Sequence, residues 1–578
     1  MELNQQQKKA VEYGNGPLLI LAGAGSGKTR TLTYRAAYLI NHQGLDPSRL
    51  LLVTFTNKAA EEMKNRIKKL IAGKSLPWAG TFHSFGATIL RIEGEKINLD
   101  KNFIIYDEDD SLATIKQAVK NLKLENLHQS QNYKATISAA KNELIGALEY
   151  QQFSRGFWAE TAAKVYREYE RLLKTYRALD FDDLLKETVR LLKNNPETAK
   201  KYQEKFLHVL VDEYQDTNKA QYELTKILVK KHKNLTVVGD FSQSIYSWRG
   251  ADWRNLSNLK TDFPNLQVIS LEQNYRSTQT ILTAANQVIS KNKLHPILKL
   301  WTESDKGPKI KIYEAKDEKD EAQFIVKTVQ KQPLAETAVL YRTNAQSRNI
   351  EEALLKAGIP YILVGGVKFY SRKEIKDCLA FLRYLINSKD KISYDRIEKL
   401  GKKQLIRFLD LKEKINLNQT TREILEAVLK ATGYLKRFDL KDEEDLSRLE
   451  NVKELMSVAE EFPNLKEFLQ NAALTEETDK KSYTRGVTLM TLHASKGLEF
   501  KNIIMVGMEE GLFPHSRTLM DREEIEEERR LCYVGMTRAK ENLFFCYSQR
   551  RLIYGSYSNN NVSRFLGDID ENLIESIR

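Results

Sequence analysis

Lys28 and Thr29 carry the clearest chemical signal in the sequence, because they directly follow a run of small residues. A lysine at this point neutralises the β- and γ-phosphates of a nucleotide, and a threonine hydroxyl is a ligand for Mg²⁺. Glycines in the preceding loop let backbone N–H groups approach phosphate oxygens. The pattern predicts a nucleoside-triphosphate site, although Ala22 stands where the strict motif has its first glycine. The residues of the predicted loop are Ala22, Gly23, Ala24, Gly25, Ser26 and Gly27.

Two adjacent carboxylates, Asp212 and Glu213, follow the apolar run 207–211. An acidic residue at a strand end beside a phosphate loop holds Mg²⁺, and we assign this role to Asp212. Glu213 is then placed to orient and deprotonate the attacking water. The amide of Gln243, which follows another apolar run, has the groups needed to contact both the γ-phosphate and that water. Together these residues predict ATP hydrolysis with Mg²⁺ as cofactor.

Tyr246, Trp248 and Arg249 place two aromatic rings and a guanidinium in one short polar segment. Bases stack on such rings by about 1–3 kcal/mol each, whatever their sequence. Arginine adds phosphate pairing or a cation–π contact. Aromatic residues more often belong to a core, but the polar surroundings here favour contact with nucleic acid. The net charge of +13 is consistent with a polyanionic partner.

Short apolar runs, separated by helical periodicity, indicate that these polar residues lie at the ends of buried strands. The runs occupy 18–21, 50–55, 207–211, 235–239 and 268–271 in the first half, and 310–313, 338–341, 487–492, 503–506 and 543–546 in the second. Helical stretches interrupt both sets, from 85 to about 195 and from about 386 to 483. The sequence therefore predicts an α/β fold with two sheet domains, each with a mainly helical insertion.

The composition argues against several other classes of protein. The three cysteines, Cys378, Cys532 and Cys546, lie far apart without a C-x-x-C pair, which disfavours a zinc site or a disulfide framework. No apolar run of the sequence is long enough to cross a bilayer, and the N-terminal residues lack the pattern of a secretory signal. We therefore expect a cytoplasmic protein without a membrane partner.

The second half of the chain lacks a phosphate loop but contains two polar motifs. They read T-L-H-A-S-K-G-L-E-F at 491–500 and E-E-R-R-L-C-Y-V-G-M-T-R-A-K at 527–540. Arg538 in the second motif is a candidate for stabilising a transferring phosphoryl group, as an arginine supplied across a cleft does. The segment Q-N-Y-R-S at 273–277 offers a further ring, Tyr275, and a further cation, Arg276.

The ordered set of motifs closely resembles that of superfamily 1 helicases of the UvrD/PcrA/Rep type, from Leu3 to about Leu566. The set comprises L-N-x-x-Q, A-G-A-G-S-G-K-T, D-E-Y-Q-D-T, Q-S-I-Y-S-W-R-G-A, N-Y-R-S, T-L-H-A-S-K-G-L-E-F and V-G-M-T-R-A. The resemblance implies two RecA-like domains of the P-loop NTPase type, the first over 1–84 and 196–278 and the second over 279–385 and 486–578. It implies helical insertions over 85–195 and 386–485.

The resemblance also implies roles for individual residues. Those that bind the nucleotide are Gln7 and Tyr275 at the adenine, Arg30 and Glu499 elsewhere on the nucleotide, and the phosphate-loop residues with Lys28 and Thr29. Those that act in hydrolysis are Lys28, Asp212, Glu213, Gln243 and the two arginine fingers Arg276 and Arg538. Those that contact single-stranded DNA are Phe55, Thr81, His83, Tyr246, Trp248, Arg249, Asn344 and Arg348. For His83, a hydrogen-bonded structural histidine is at least as consistent with the residues alone.

The family implies ATP-driven movement along single-stranded DNA in the 3′ to 5′ direction, and hence a helicase of DNA repair or replication restart. Its implied partners are single-stranded DNA, single/double-strand junctions and repair or replication proteins. The family also implies that the chain is a monomer or weak dimer and that it is associated with the nucleoid. The second insertion is shorter than this family usually carries, and the sequence after 563–566 is short, which predicts no nuclease domain.

Three alternatives follow from the residues. The short second insertion favours a single-strand translocase that displaces proteins but separates duplex poorly. A nucleic-acid-binding scaffold without ATPase activity is disfavoured, because every expected hydrolysis residue is present. An RNA motor stays open, because recognition by backbone contact and stacking reports little about the sugar.

Overall fold

The structure is a computed structural model that describes residues 2–71, 73–124, 130–440, 442–478, 485–553 and 556–577. The chain divides into two compact units, Met1–Tyr275 with His295–Glu303, and Arg276–Leu294 with Ser304–Arg578. Among the described residues, no helix combines the length and apolar character that crossing a bilayer requires.

The first unit is built on a parallel sheet. Its strands are β1 (Leu18–Ala22), β2 (Leu50–Thr54), β3 (Trp78–Thr81), β4 (Ile104–Tyr106), β5 (Ala178–Asp180), β6 (His208–Val211), β7 (Leu235–Gly239), β8 (Gln267–Leu271), β9 (Gln273–Asn274) and β10 (Trp301–Thr302). The main sheet has the order β3-β2-β6-β7-β1-β8, while β4 pairs with β5 and β9 with β10. Because β6, β7 and β1 are neighbours and parallel, the residues that follow them meet at one edge of the sheet.

Burial on both faces explains the continuous apolar runs of this sheet. Leu18 and Ile20 of β1 belong to one buried cluster, and Leu19 belongs to another, so alternate side chains fill cores on opposite faces. Burying a leucine contributes about 1.5–3 kcal/mol. The packing of both faces fixes β1 and, with it, the start of the phosphate loop.

Helices cover the first sheet and form the region between β3 and β6. They are α1 (Gln5–Glu12), α2 (Lys28–Asn41), α3 (Asn57–Leu70), α4 (Phe82–Glu93), α5 (Glu108–Asn121), α6 (Ser130–Asn142), α7 (Ala147–Phe153), α8 (Phe157–Tyr176), α9 (Phe181–Asn194), α10 (Pro196–Lys205), α11 (Lys219–Val229) and α12 (Arg254–Asp262). In the helical region, the buried ammonium of Lys141 on α6 lies 2.7 Å from Asp180 and 2.8 Å from Asp183, which joins α6 to the start of α9.

The second unit is built on another parallel sheet. Its strands are β11 (Ile310–Ala315), β12 (Thr337–Tyr341), β13 (Tyr361–Leu363), β14 (Val487–Thr491), β15 (Phe500–Met505), β16 (Ala539–Ser548), β17 (Arg551–Ile553), β18 (Ser556–Ser558) and β19 (Ile574–Ile577). The main sheet has the order β13-β14-β12-β15-β16-β11-β19, and β17 pairs with β18 as an antiparallel ribbon. Strands β13 and β19 at its two edges were not predicted, because both are short.

The helices of the second unit are α13 (Gln279–Ser290), α14 (Glu318–Val329), α15 (Ser347–Lys356), α16 (Lys373–Ile386), α17 (Lys391–Leu400), α18 (Lys402–Lys412), α19 (Thr421–Thr432), α20 (Glu443–Glu461), α21 (Leu465–Thr478), α22 (Arg522–Met536) and α23 (Arg564–Gly567). Buried apolar side chains of α16 to α21 form one cluster of their own. The end of the predicted second insertion, at 479–484, lies outside the described residues.

The predicted α/β class is confirmed, with two parallel sheets and many helices. The division between the two units does not coincide with the predicted boundary between 278 and 279. Arg276 belongs to the second unit, whereas 295–303 belongs to the first. The reason is the pairing of β10 with β9, in which Trp301 lies opposite Gln273. The ring of His295 also stacks on Phe241 with centroids 5.9 Å apart.

Candidate nucleotide site and nucleic-acid interface

The phosphate loop joins β1 to α2. Gly25 and Gly27 have φ of +67° and +83°, a left-handed backbone that side chains other than glycine rarely adopt. Helix α2 begins at Lys28, directly after Gly27. The first N–H groups of a helix have no partner within the helix, and together with the helix dipole they favour a bound anion. The local backbone is therefore that of an anion-binding loop.

Three neighbouring residues hold this loop through its backbone carbonyls. The hydrogen bonds run from Gln7 Nε2 to Ser26 O (2.9 Å), from Asn274 Nδ2 to Ala24 O (2.7 Å) and from the Tyr275 N–H to Gly25 O (3.0 Å). Gln7 and Asn274 are each only 1% exposed. Asn274 was not predicted from the sequence, and its position inside Q-N-Y-R-S was the one available signal.

The side chain of Lys28 has an unusual environment. Its Nζ is buried and has no hydrogen-bond partner among the described residues. The nearest carboxylate oxygen of a described residue, Oε2 of Glu213, lies 3.6 Å away. An unmade hydrogen bond of a buried charged group costs more than the 1–3 kcal/mol or so that a neutral group costs. The phosphate oxygens of a nucleotide would satisfy this ammonium, so the residues present fit that ligand.

Thr29 and Asp212 provide two adjacent oxygen ligands. Thr29 Oγ1 donates a hydrogen bond of 2.9 Å to Asp212 Oδ2, and Asp212 is 3% exposed. Burial and the charge of Glu213 raise the pKa of Asp212 to about 6, although Lys28 and Thr29 oppose that rise. Hard oxygen donors of this kind suit Mg²⁺, which proteins hold through one or two carboxylates together with substrate phosphates. No larger cluster of His, Cys, Asp or Glu among the described residues is arranged to hold a metal ion.

Glu213 directly follows Asp212 and has a φ of +51°, which is uncommon outside glycine. Its N–H donates to Asp212 Oδ1 at 3.0 Å, and its Oε2 accepts a 2.6 Å hydrogen bond from Gln215 Nε2. Strained backbone of this kind occurs often at functional sites. A partly exposed carboxylate beside the phosphate loop is in a position to accept a proton from water.

Gln243 follows β7 and is 3% exposed. Its Nε2 donates to Asp240 Oδ2 at 2.6 Å, and burial raises the pKa of Asp240, against the effect of Lys28. The structure thus brings Gln243 to the same edge of the sheet as Lys28 and Glu213. Gln215 and Asp240 were missed by the sequence analysis because short polar loops give no signal of burial.

The residues expected at the adenine form a polar group near the start of α1. Asn4 Nδ2 donates to the Tyr275 hydroxyl at 2.7 Å, and that hydroxyl donates to Gln273 Oε1 at 2.7 Å. The guanidinium carbon of Arg30 lies 5.4 Å from the ring centroid of Tyr34. The ring of Tyr275 is half-buried, so an adenine contact there stays a prediction.

Arg276, Glu499 and Arg538 belong to the second unit and lie close together. Arg276 Nε donates to Glu499 Oε2 at 2.8 Å, and its Nη1 donates to Thr537 O at 3.0 Å. Arg538, 2% exposed, donates to the carbonyl of Val534 at 2.9 Å and to Thr537 Oγ1 at 3.1 Å. Burial raises the pKa of Glu499, but the hydrogen bond from Lys540 and the charge of Arg276 outweigh burial and lower it.

The aromatic segment of the first unit is exposed. Trp248 is 45% exposed, and the guanidinium carbon of Arg249 lies 4.5 Å from its ring centroid. Tyr246 packs edge-on against Trp248 with centroids 6.4 Å apart. The residues that follow this segment contact the loop after β6 through two hydrogen bonds. They run from the Asp252 N–H to Thr217 O (3.0 Å) and from Asn255 Nδ2 to Thr217 O (2.8 Å).

The other predicted DNA contacts of the first unit are less exposed. The ring of Phe55 packs edge-on against Phe82, with centroids 5.9 Å apart. Thr81 is 8% exposed and its Oγ1 caps α4 by accepting the Ser84 N–H. His83 packs edge-on against Phe181 at 5.8 Å, and burial lowers the pKa of His83 to about 4, so its ring is neutral near pH 7.

The two predicted DNA contacts of the second unit differ from each other. Asn344 is half-buried and donates to Ser447 Oγ at 3.4 Å. Arg348 is 2% exposed, and carboxylates surround its guanidinium, with Glu454 at 2.7 Å and Glu352 at 3.3 Å. The charge of Arg348 is thus already paired inside the unit, and a DNA contact of Arg348 stays a prediction.

Comparison with known proteins supports the resemblance. The family model for the UvrD/REP helicase N-terminal domain matches residues 3–264, and that for the UvrD-like helicase C-terminal domain matches 269–418 and 398–550. Among similar proteins, the ATP-dependent DNA helicase PcrA of Staphylococcus epidermidis is 42% identical over 99% of this chain and 87% of its own length. The ATP-dependent DNA helicase PcrA of Staphylococcus aureus is 41% identical over the same shares of the two chains. The chain therefore belongs to the UvrD-like helicase family.

Proposed function

We propose that this protein is an ATP-dependent DNA helicase that moves 3′ to 5′ along single-stranded DNA in repair or replication restart. The observation that supports ATP binding and hydrolysis is the buried Lys28 ammonium, which has no hydrogen-bond partner among the described residues. It lies beside the oxygen ligands Thr29 and Asp212 and the carboxylate of Glu213. The relatives named above carry the name ATP-dependent DNA helicase, and we extend that activity to this chain.

In the proposed reaction, Lys28 binds the β- and γ-phosphates, and the loop ending at Gly27 holds them through its backbone. Thr29 and Asp212 would hold Mg²⁺, which when bound supplies Lewis-acid stabilisation of phosphate charge. Glu213 accepts the proton of the attacking water, a role worth about 10²–10⁴ in rate. Gln243 orients that water against the γ-phosphate.

Several further residues are part of the proposal. Gln7, Arg30 and Tyr275 are candidates for binding the nucleotide base and sugar. Arg276 and Arg538 are candidates for neutralising phosphoryl charge, and Glu499 for orienting Arg276, which it contacts at 2.8 Å.

The proposed DNA surface is centred on Trp248 and Arg249, which are exposed, and on Tyr246, which is half-buried; their rings and guanidinium suit bases and phosphates. Phe55, Thr81, His83, Asn344 and Arg348 are further candidates, of which Arg348 is the most buried and is already paired with carboxylates. Asp252 and Asn255 donate hydrogen bonds to the carbonyl of Thr217, which lies four positions after Glu213 in the loop that follows β6. Nucleotide turnover and DNA contact are therefore expected to influence each other.

The second candidate function is a translocase that displaces proteins and unwinds poorly on its own. The short helical stretch between α16 and β14 favours it, because a reduced insertion offers less surface for duplex. In either case we propose that the protein acts in the cytoplasm at single/double-strand junctions, as a monomer or weak dimer with repair or replication proteins.

The experiment that tests the proposal measures ATPase activity with and without single-stranded DNA, and unwinding of a duplex with a 3′ or a 5′ tail, under the same ATP, Mg²⁺ and salt. Glu213→Gln is the matched control, because it keeps the shape of the site and removes the base. Stimulated ATPase with unwinding from the 3′ tail alone is the expected result. Stimulation without unwinding would favour the translocase, and no stimulation would contradict the DNA half of the proposal.

A further inference from the structure

Gln215 lies in the loop after β6 and is fully buried, and both ends of its amide are used. Its Nε2 donates to Glu213 Oε2 at 2.6 Å, and its Oε1 accepts the Asp240 N–H at 3.1 Å. The reverse orientation of the amide would set its oxygen against a carboxylate and its NH₂ against another N–H, so only this orientation satisfies both partners. The amide is therefore fixed by its neighbours on two loops.

Asp240, the second hydrogen-bond partner of Gln215, also contacts Gln243. Asp240, whose N–H is held by Gln215, accepts the 2.6 Å hydrogen bond from Gln243 Nε2. Gly239 permits this arrangement, because a Cβ at that position would lie 3.0 Å from Gln215 Oε1. One side chain thus links the proposed base, Glu213, to the residue that holds the proposed γ-phosphate sensor.

We propose that Gln215 is a positioning residue for ATP hydrolysis, which holds the carboxylate of Glu213 in a fixed position relative to the amide of Gln243. This inference rests on the proposed function and assigns a residue that the motif roles leave unassigned. Glu213 needs such support because its carboxylate is partly exposed and its backbone is in an uncommon conformation. A carboxylate that is not held samples other rotamers, and a misplacement of about 1 Å costs roughly 100-fold in rate.

Two substitutions separate positioning from packing. Gln215→Glu keeps the acceptor for the Asp240 N–H but replaces the donor to Glu213 with a carboxylate oxygen. Gln215→Met has a similar length and loses both hydrogen bonds. Gln221→Glu is the matched control, because Gln221 is also buried in this region but its Oε1 accepts the Asn218 N–H, which a glutamate does equally well.

The experiment measures kcat and KM for ATP with saturating single-stranded DNA, binding of a non-hydrolysable ATP analogue, and the melting temperature. We expect both Gln215 variants to lower kcat about 10- to 100-fold. The KM and the stoichiometry of analogue binding of folded Gln215→Glu should match the wild type, as all values of Gln221→Glu should. The melting temperature of Gln215→Glu should fall, because the substitution places a buried carboxylate beside Glu213, so kcat is compared per folded molecule.

A Gln215→Glu variant with wild-type kcat, or a loss of kcat that only follows a loss of folded protein, would overturn the inference. So would a rise in KM at unchanged kcat, because that would mean a role in nucleotide binding. If the wild-type chain itself hydrolyses no ATP, the proposed function fails, and this inference fails with it. An active wild type with unaffected Gln215 variants leaves the proposed function standing and overturns the inference alone.

Discussion

Lys28 in the first unit and Arg551 in the second are both largely buried cations near the edge of a parallel sheet, but their surroundings are opposite. Lys28 Nζ has no hydrogen-bond partner among the described residues. Arg551 Nη2 lies 2.8 Å from Glu321 and 2.6 Å from Glu509, and its Nε also donates to Glu509. Because buried charges are costly unless they are paired, an unsatisfied cation indicates a missing ligand and a paired one indicates structure.

The same contrast holds for other residues of the two units. Arg348 of the second unit is buried and contacts a carboxylate at 2.7 Å, as Arg551 does. Arg372 is also buried, and it donates hydrogen bonds to Asn451 and Ser347. In the first unit, the buried Lys141 is fully paired as well, with Asp180 and Asp183. Burial of a basic side chain is therefore not a sign of function by itself. The distinguishing property of Lys28 is that its buried Nζ makes no hydrogen bond to any described residue, although the Glu213 carboxylate lies 3.6 Å away, and this property leads to predictions that test the comparison.

Lys28→Ala is expected to have the largest effect on activity. Removing the ammonium takes away the charge that stabilises the phosphates, and the ATPase rate should fall about 100- to 1,000-fold. The melting temperature should not fall, because the wild-type ammonium makes no hydrogen bond in the described structure. Steady-state ATPase assays and thermal unfolding of the same preparation measure the two effects.

Lys64→Ala is the matched control for that variant, because Lys64 is a surface lysine of α3 whose nearest carboxylate, on Glu61, is 3.8 Å away. It should leave both ATPase rate and melting temperature unchanged. A large drop in the melting temperature of Lys28→Ala would contradict the comparison, since it would show that Lys28 stabilises the fold. Wild-type turnover would contradict the site assignment.

The sequence was enough to predict the strands that precede the phosphate loop, the Asp212–Glu213 pair and Gln243, because each is a continuous apolar run whose position in a parallel sheet is determined by burial on both faces. It was not enough for Gln215 and Asp240, since nothing local distinguishes a buried amide from a solvated one. In the second unit, the sequence also gives no sign of ion pairs between distant residues. Arg348 is paired with Glu454, which is 106 positions away.

Two edge strands show a similar limit. The strand β13 has only the residues Tyr361–Leu363, and β19 has only Ile574–Ile577, with its two polar residues adjacent in the middle. This order lacks the strict alternation of apolar and polar residues that predicts a half-buried strand. The length of β13 is too short for any periodicity, and its place in the sheet is decided by pairing with β14.

Arg551→Met should have the next largest effect, on stability rather than on chemistry. The substitution leaves Glu321 and Glu509 buried without their cation, which costs about 3–5 kcal/mol of unfolding free energy. Burial raises the pKa of Glu321, and the charge of Arg551 opposes that rise. In the variant the charge of Arg551 no longer lowers the pKa of Glu321, so that pKa rises further. The folded state then binds a proton at pH values at which the unfolded state does not. The stability loss should therefore shrink as the pH is lowered from neutrality.

Denaturant unfolding at several pH values measures this prediction, and Arg551→Met combined with Glu509→Gln is its control. The second substitution removes one uncompensated charge, so the double variant should be more stable than the single one. The ATPase rate per folded molecule should remain that of the wild type. An Arg551→Met variant with unchanged stability and a lost ATPase rate would reverse the roles that the comparison gives to the two cations.

Trp248→Ala should have a smaller effect, confined to nucleic acid. Loss of one stacking platform costs about 1–3 kcal/mol, which corresponds to roughly 5- to 150-fold weaker binding of single-stranded DNA. Because Asp252 and Asn255 connect this segment to Thr217, the stimulation of ATPase by DNA should also fall. Fluorescence anisotropy with a labelled oligonucleotide and DNA titration of the ATPase rate measure both effects.

Trp301→Ala is a matched control, because Trp301 is a tryptophan of the first unit with nearly the same exposed fraction, 46% against 45% for Trp248. It belongs to β10 and was not predicted to bind DNA. Equal losses in the two variants would show that exposed tryptophans contribute to DNA binding without specificity for the proposed segment. Unchanged DNA stimulation in Trp248→Ala would refute its role in coupling.

His83→Gln should have the smallest effect and sharpens the distinction between a charged contact and a neutral one. Burial lowers the pKa of His83 to about 4, below the ordinary value for histidine, so the ring carries no charge near neutrality. A neutral ring contributes at most one ordinary hydrogen bond to DNA, about 0.5–1.5 kcal/mol. Lowering the pH from about 8 to about 6 should therefore change the DNA affinity of the wild type and of His83→Gln by the same factor. If His83 were instead a cation paired with a phosphate, the wild type would bind more tightly at the lower pH and the variant would not, and His83 would then join Lys28 as a cation that awaits an anionic ligand.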